Sequence, residues 1–273
     1  MGKVKIKRKS TLIDMTAMSD VTVLLLTFFM LTSTFLQKEP TPVETPSSVQ
    51  EQKVSTSNVV NVLVSPTGEV FLSVAGEVDP DASANYAKEQ DPTLTAAELR
   101  KEKGKWASDS VRREVILQAV ADYNETAKNP VQLTTDEVAA LAKIGTFGVP
   151  FADLKKYLEL NDTQRDKVYT DFFKLSPEER EAYNKNRENV RVGIPIDLDH
   201  NKRNEFQIWM RAIKKVAQSK YPNLNEALTK GEGIAVKADR RTDFEKMHVV
   251  LDNLQTLRMT RFTLMTALKS QEQ

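Results

Sequence analysis

One carboxylate stands inside an apolar run near the start of the chain. Residues 17–36, AMSDVTVLLLTFFMLTSTFL, set Asp20 beside Leu24, Leu25, Leu26, Phe28, Phe29 and Leu31. An ionisable group in such a span costs at least about 2.5–3.5 kcal/mol to insert, so it persists where it faces a partner, a cavity or an ion path. Asp20 is therefore the first candidate for chemistry. Thr27 and Thr34 follow Asp20 at steps of seven, and Thr16 precedes it by four. Seven helical residues fall about 20° short of two full turns, so Asp20, Thr27 and Thr34 share one polar stripe. Such a stripe on an otherwise apolar helix suits burial against other helices. The hydroxyls can instead satisfy carbonyls of their own backbone, and Asp20 can be a hydrated residue of the interface. The apolar pattern extends back through Leu12 and Ile13, which sets Asp20 deeper. Asp14 reads as a solvated interface residue.

Other chemistry fails on inventory. There is no cysteine, which removes disulfides, thiolate nucleophiles and cysteine-based metal sites. His200 and His248 are the two histidines, without an H-E-x-x-H motif, so no zinc site is expected. No G-x-S-x-G elbow, P-loop or G-x-G-x-x-G fingerprint occurs. No catalytic residue, cofactor or metal is therefore expected, and the chain does not read as an enzyme. A net charge of +1 gives no support to nucleic-acid binding. Asp239, after the strand-like GIAVKA, reads as a local turn residue preparing a helix boxed by Thr242 and Glu245. The charged runs at 101–105 and 178–189 read as solvated helix faces.

The apolar run must be held by an element of the right length. Residues 13–36 fit a single membrane-spanning helix. Lys3, Lys5, Lys7, Arg8 and Lys9 precede it and Lys38 alone follows closely, so the tail 1–12 is expected in the cytoplasm and the rest outside. Asp20 within the run, and the lack of an A-x-A-like site near Thr34, argue against a cleaved signal peptide. Residues 37–57, with Pro40, Pro42 and Pro46 among Ser, Thr and Glu, read as an extended, semi-flexible tether. Val60, Val62 and Val64, then Val70, Leu72 and Val74, alternate around Ser65-Pro66-Thr67-Gly68, a hairpin over 58–75.

From 79 to 190 the pattern is helical. Helices are expected over 95–106, 109–124, 134–143, 151–160, 162–174 and 177–188, with capping boxes at Thr95/Glu98 and Thr134/Glu137 and proline at the first position after Ser176. Trp106, Phe147, Phe151, Phe172 and Phe173 are expected in its core. Beyond it come a short edge strand or extended loop over 191–196, a helix over 203–220, a buried strand over 233–238, a helix turning Phe244, Met247, Val250, Leu251 and Leu254 inward, and a closing strand over 260–266. The architecture is one membrane helix plus an α+β domain, 58–78 with 191–273, a small sheet with two helices, carrying an inserted all-α subdomain over 79–190.

The stretch Ile13-Asp14-Met15-Thr16-Ala17-Met18-Ser19-Asp20-Val21, running into LLLTFFMLT, resembles the ExbD/TolR family of proton-driven motor subunits. GIAVKADRRTDFEKMHVVLDNLQTLRMTRFTLMT is similar to that family's strand, Ala-Asp, helix and strand segment. The resemblance covers 13–75 and 191–268. Ala17 stands where members usually have proline, and 79–190 has no counterpart in short members. The resemblance implies a homodimer inside an ExbB-like pentameric or similar ring in the bacterial inner membrane, with the α+β domain in the periplasm. It implies Asp20 as the proton carrier and a TonB-like protein receiving the motion for outer-membrane transport. A TolR-like role in envelope maintenance, a surface-motility motor, or an anchored scaffolding domain are the alternatives. The resemblance also implies partner pairing along a sheet edge, with the hairpin 58–75 and strand 260–266 as the edges available.

Overall fold

The computed structural model describes residues 15–32, 39–41, 43–48, 57–77, 92, 93, 95, 103–199, 203–265, 267 and 268. It has two units, Met1–Lys38 and Glu39–Gln273, each considered by itself.

The first unit holds α1 (Met15–Thr32). The segment lacks glycine and proline and is rich in leucine and methionine, good helix formers. Its 18 residues rise about 27 Å. Among the described residues no helix is long and apolar enough to cross a membrane. The span expected over 13–36 overruns α1 at both ends, and residues 13, 14 and 33–36 lie outside the described part.

In the second unit the strands are β1 (Ser47–Ser48), β2 (Val59–Val64), β3 (Val70–Ala75), β4 (Thr146–Phe147), β5 (Ile234–Ala238), β6 (Thr263–Leu264) and β7 (Ala267–Leu268). Five of them form one mixed sheet in the order β4-β3-β2-β5-β6. β2 and β3 make the expected antiparallel hairpin, with Val62 opposite Leu72. Its turn needs Gly68: φ is +96°, and a Cβ there would press on Lys246. β2 and β6 flank β5 in parallel, Val62 beside Val236 and Val236 beside Leu264. The closing strand is shorter than 260–266. Residues 191–196 form an extended segment, not a strand, whose Ile194 amide donates to the Val70 carbonyl at 2.9 Å.

The helices are α2 (Lys103–Asn124), α3 (Thr135–Lys143), α4 (Leu154–Glu159) after a 3-10 turn at Phe151–Asp153, α5 (Asp162–Lys174), α6 (Pro177–Lys185), α7 (Glu205–Lys220), α8 (Pro222–Lys230) and α9 (Phe244–Thr256). The box at Thr134/Glu137 forms as expected and Pro177 takes the first position of α6, while Ser176/Glu179 and Asn161/Gln164 make two further boxes. Glu98, like the rest of 96–102, lies outside the described residues. The box expected at Thr242/Glu245 does not form. Thr242 instead donates its hydroxyl to the Ser65 carbonyl at 2.9 Å, tying that loop to the hairpin turn, and α9 begins after Asp243 without a side-chain cap. Phe244 is consequently 78% exposed, not inward. It lies six residues before buried Val250, about 120° round the helix.

One device is used twice in succession. Arg165 lies over the Tyr157 ring at 5.3 Å and donates to the carbonyls of Tyr157 and Leu158 at 3.1 and 3.2 Å. Arg180 lies over Phe172 at 5.7 Å and donates to the carbonyls of Phe172 and Phe173 at 3.2 and 2.9 Å. Each arginine reaches back eight residues, satisfying carbonyls at the end of the preceding helix and stacking on an aromatic of its last turn.

The region 79–190 is not purely helical and does not stand apart. It supplies β4, which pairs with β3 at Phe147–Leu72, and its Val111, Val115, Ile116 and Ala119 share one core with Val62, Phe71 and Trp209. Buried Arg112 donates to the Val74 carbonyl at 3.0 Å and the Ala142 carbonyl at 2.5 Å, and pairs with Asp109. Lys215 and Lys220 of α7 pair with Asp122 and Glu114 of α2, both at 2.7 Å. Phe147, Phe151 and Phe172 are buried as expected and Phe173 packs at the margin, while the side chain of Trp106 lies outside the described part.

Candidate functional site

Asp20 lies on the second turn of α1 and is exposed. Among the described residues it has no ion-pair or hydrogen-bond partner. Around it, Met18, Val21, Val23, Leu24, Leu25, Leu26, Phe28, Phe29 and Met30 are each 55–71% exposed. Nine large apolar side chains on one helix form a surface that water does not favour, of the kind that marks a membrane or protein contact. Of the expected stripe, Thr27 is on α1, and its hydroxyl donates to the Leu24 carbonyl at 2.9 Å. Thr22 likewise bonds back to the Met18 carbonyl. The hydroxyls of Thr22 and Thr27 thus serve their own backbone. Thr16 belongs to α1, but its side chain lies outside the described part, as does the whole of Thr34.

In the second unit the stretch read as a tether is extended and is held against the domain over its described part, 39–41 and 43–48. Lys237 pairs with Glu39 at 2.7 Å, Thr41 is buried, and Val43 packs against the core. The Arg240 amide donates to the Glu44 carbonyl at 2.8 Å, and Ser47–Ser48 run parallel to Ala267–Leu268. Asp239 sits at the centre of this arrangement. One carboxylate oxygen accepts the Glu44 amide at 2.9 Å, and the other accepts the Arg241 amide at 2.9 Å and its Nε at 3.1 Å. Burial pushes its carboxyl up, but these bonds, the Arg241 guanidinium among them, outweigh burial and hold it below the usual carboxylate range. The turn role expected of Asp239 is present in the Arg241 contact. Its grip on a residue 195 positions away could not be read from the sequence.

The two edges considered for partner pairing fare differently. β2 is flanked by β3 and β5, and β3 by β2 and β4, so the hairpin has no long open side. β6 lies at the margin of the sheet, and Leu264 on it is 50% exposed. His248 is exposed beside Phe244, with ring centroids 6.2 Å apart, and His200 lies outside the described residues. Among the described residues no group of His, Asp and Glu is arranged to hold a metal ion.

The family model for the biopolymer transport protein ExbD/TolR matches residues 7–269, running from the basic tail through the helical region to the closing strands. No curated protein and no solved structure matches the chain. With an acid-bearing apolar helix, a hairpin, a parallel strand ending in Ala238-Asp239 and the following helix all within the matched range, the chain belongs to the ExbD/TolR family.

Proposed function

We propose that this chain is the proton-carrying subunit of a motor driven by the proton motive force, with Asp20 as the carrier. At the family level its role is energy transduction in biopolymer transport, within a membrane complex of partner proteins. The finer reading puts α1, extended to 13–36, across the bacterial inner membrane as a single span. Two copies sit within an ExbB-like ring, and a periplasmic domain passes motion to a TonB-like protein that powers outer-membrane transport. The observation that carries it is Asp20 on a helix whose described large apolar side chains stand exposed when the chain is alone. Those side chains call for lipid or neighbouring helices, and the carboxylate calls for a polar path among them. A carrier of this kind is neutral among apolar groups and charged beside water, because desolvation disfavours the charged form.

Asp20→Asn keeps the size and hydrogen bonding of the side chain and removes its charge. TonB-dependent uptake is expected to collapse in cells carrying it, while co-purification of the membrane complex is unchanged. Near-normal uptake overturns the carrier role. Loss of the complex together with uptake points to a scaffolding helix.

A further inference from the structure

α9 carries more apolar surface than the core uses. Phe244, Met247, Val250, Leu251 and Leu254 lie on one broad arc of the helix, and the domain buries only the side that holds Val250 and Leu254. Met247 packs at the margin of the core, Leu251 is half-exposed and Phe244 stands in solvent. At about 100° per residue, Leu251 falls roughly 20° to one side of Phe244 and His248 roughly 40° to the other. The exposed His248 ring is 6.2 Å from that of Phe244. Phe244, His248 and Leu251 therefore form one outer band, with Met247 at its border.

Phe244 is held outward. The loop before α9 is tied down by the bond from the Arg241 amide to Asp239 and by that from the Thr242 hydroxyl to the Ser65 carbonyl. On the other side of the helix Lys246 rests against the hairpin turn at Gly68. Rolling Phe244 inward would break these contacts.

The band's chemistry narrows what covers it. A helix face has no unpaired backbone groups to offer, so it accepts another helix and not an added strand. Asp243 and Glu245 are exposed beside it and repel an anionic lipid surface. Counting about 150–250 Å² for an aromatic, the band offers roughly 300–400 Å². That is half of the roughly 800 Å² per partner in a stable complex. A contact so small holds where its partner is already close, as for two copies anchored side by side, whose effective concentration reaches the millimolar range. The band is also self-complementary. Phe244 and Leu251 are equidistant from a point between Met247 and His248, so an antiparallel second copy sets Phe244 of each against Leu251 of the other.

We propose that the outer band of α9 is the surface at which two copies of this chain meet, helix against helix and antiparallel, about a two-fold axis beside His248. This rests on the reading of two copies within one membrane complex and names the face they share.

The chain has no cysteine, so a single introduced one reports a single position. The test uses the full-length chain, as two differently tagged copies, in the membranes of the cells that express it. With a short bis-maleimide, His248→Cys should link the two tagged copies, well above the yield from Lys167→Cys, an exposed position on α5. Adding Phe244→Asp should cut the yield about tenfold or more, the loss that follows removal of a central aromatic anchor. The melting temperature should not move, because Phe244 lies outside the core. A yield at His248→Cys no greater than at Lys167→Cys overturns the proposal, as does a yield indifferent to Phe244→Asp. A linked product of any other mass assigns the band to a different partner and overturns it too. Copies that co-purify without linking at position 248 refute this face alone, and copies that do not co-purify refute the two-copy reading with it.

Discussion

At the scale of single residues, two carboxylates show how surroundings divide one chemistry into opposite behaviours. Asp239 gathers two amides and a guanidinium and is held ionised, whereas Glu205 has one amide and a crowded pocket and is pushed up to about 7. Each has a consequence for stability. The Glu205 carboxyl binds protons more tightly in the folded chain than in the unfolded one. Its contribution is complete below an ordinary glutamate's range and is lost as pH rises from about 4.5 to about 7. Chemical-denaturation midpoints recorded across that window should decline in the wild type and decline less in Glu205→Gln. Asp239→Ala leaves the Glu44 amide without its acceptor, at a cost of about 1–3 kcal/mol. Limited proteolysis should then cut within 39–48 at protease levels that spare the wild type.

Neither role was visible in the chain order. Asp239 announced a turn, since acid after a strand is a common punctuation, but its hold on Glu44 depends on where the fold brings residues 39–48. Glu205 offered no signal. It is an ordinary first-turn glutamate of an amphipathic helix, and its burial comes from the 150–153 turn and α2. Asp20 was legible because it breaks a local rule, a charge within an apolar run, and local rules can be read without the fold.

At the scale of elements, most of what periodicity and caps can specify was legible. The hairpin, the parallel strand at β5, and helices α3, α5 and α7 lie within one or two residues of expectation. α8 was passed over although Pro222 at its start and Gly231 in the left-handed region at its end mark it plainly. The misreading at Thr242 has the opposite cause. The local pattern for a capping box was present, but the hydroxyl found a better partner in the Ser65 carbonyl. The arginine at an eight-residue interval from an aromatic matches no cap or periodicity pattern, yet it joins α4 to α5 and α5 to α6. Replacing Arg180 by leucine keeps an apolar cover on Phe172 but abandons two carbonyls, with an expected loss of about 1–3 kcal/mol. Arg165→Leu should cost a similar amount. Thermal melts of the two single variants and the double variant would show whether the joints act independently. A double-variant loss well short of the sum would mean that α4, α5 and α6 come apart as one piece.

At the scale of the whole molecule, the 79–190 region is part of the domain's foundation. It provides β4 and one wall of the core, so the α+β unit of 58–78 and 191–273 is not complete without it. A chain lacking 79–190 would expose β3 and the α2-facing side of α7. Such a deletion should lose its cooperative thermal transition and bind a hydrophobic dye, where an independent insert would leave both unchanged. The sequence reading separated the two regions because their patterns differ, helical against mixed. What joins them is tertiary: two residues at Thr146–Phe147 and an apolar face on α2, neither of which declares its partner.

The margins of the sheet carry a further consequence. β4 at one side and β6 at the other are each two residues long. Short margins offer few unpaired backbone groups, which discourages indiscriminate sticking of one copy to another. They also limit what any visiting strand can gain on arrival. A visitor at β6 finds a foothold and must extend the ladder as it binds, so part of its binding energy goes into ordering chain. Contacts made in that way form selectively and let go readily, which suits the attachment that the proposed motor would make and break with every stroke.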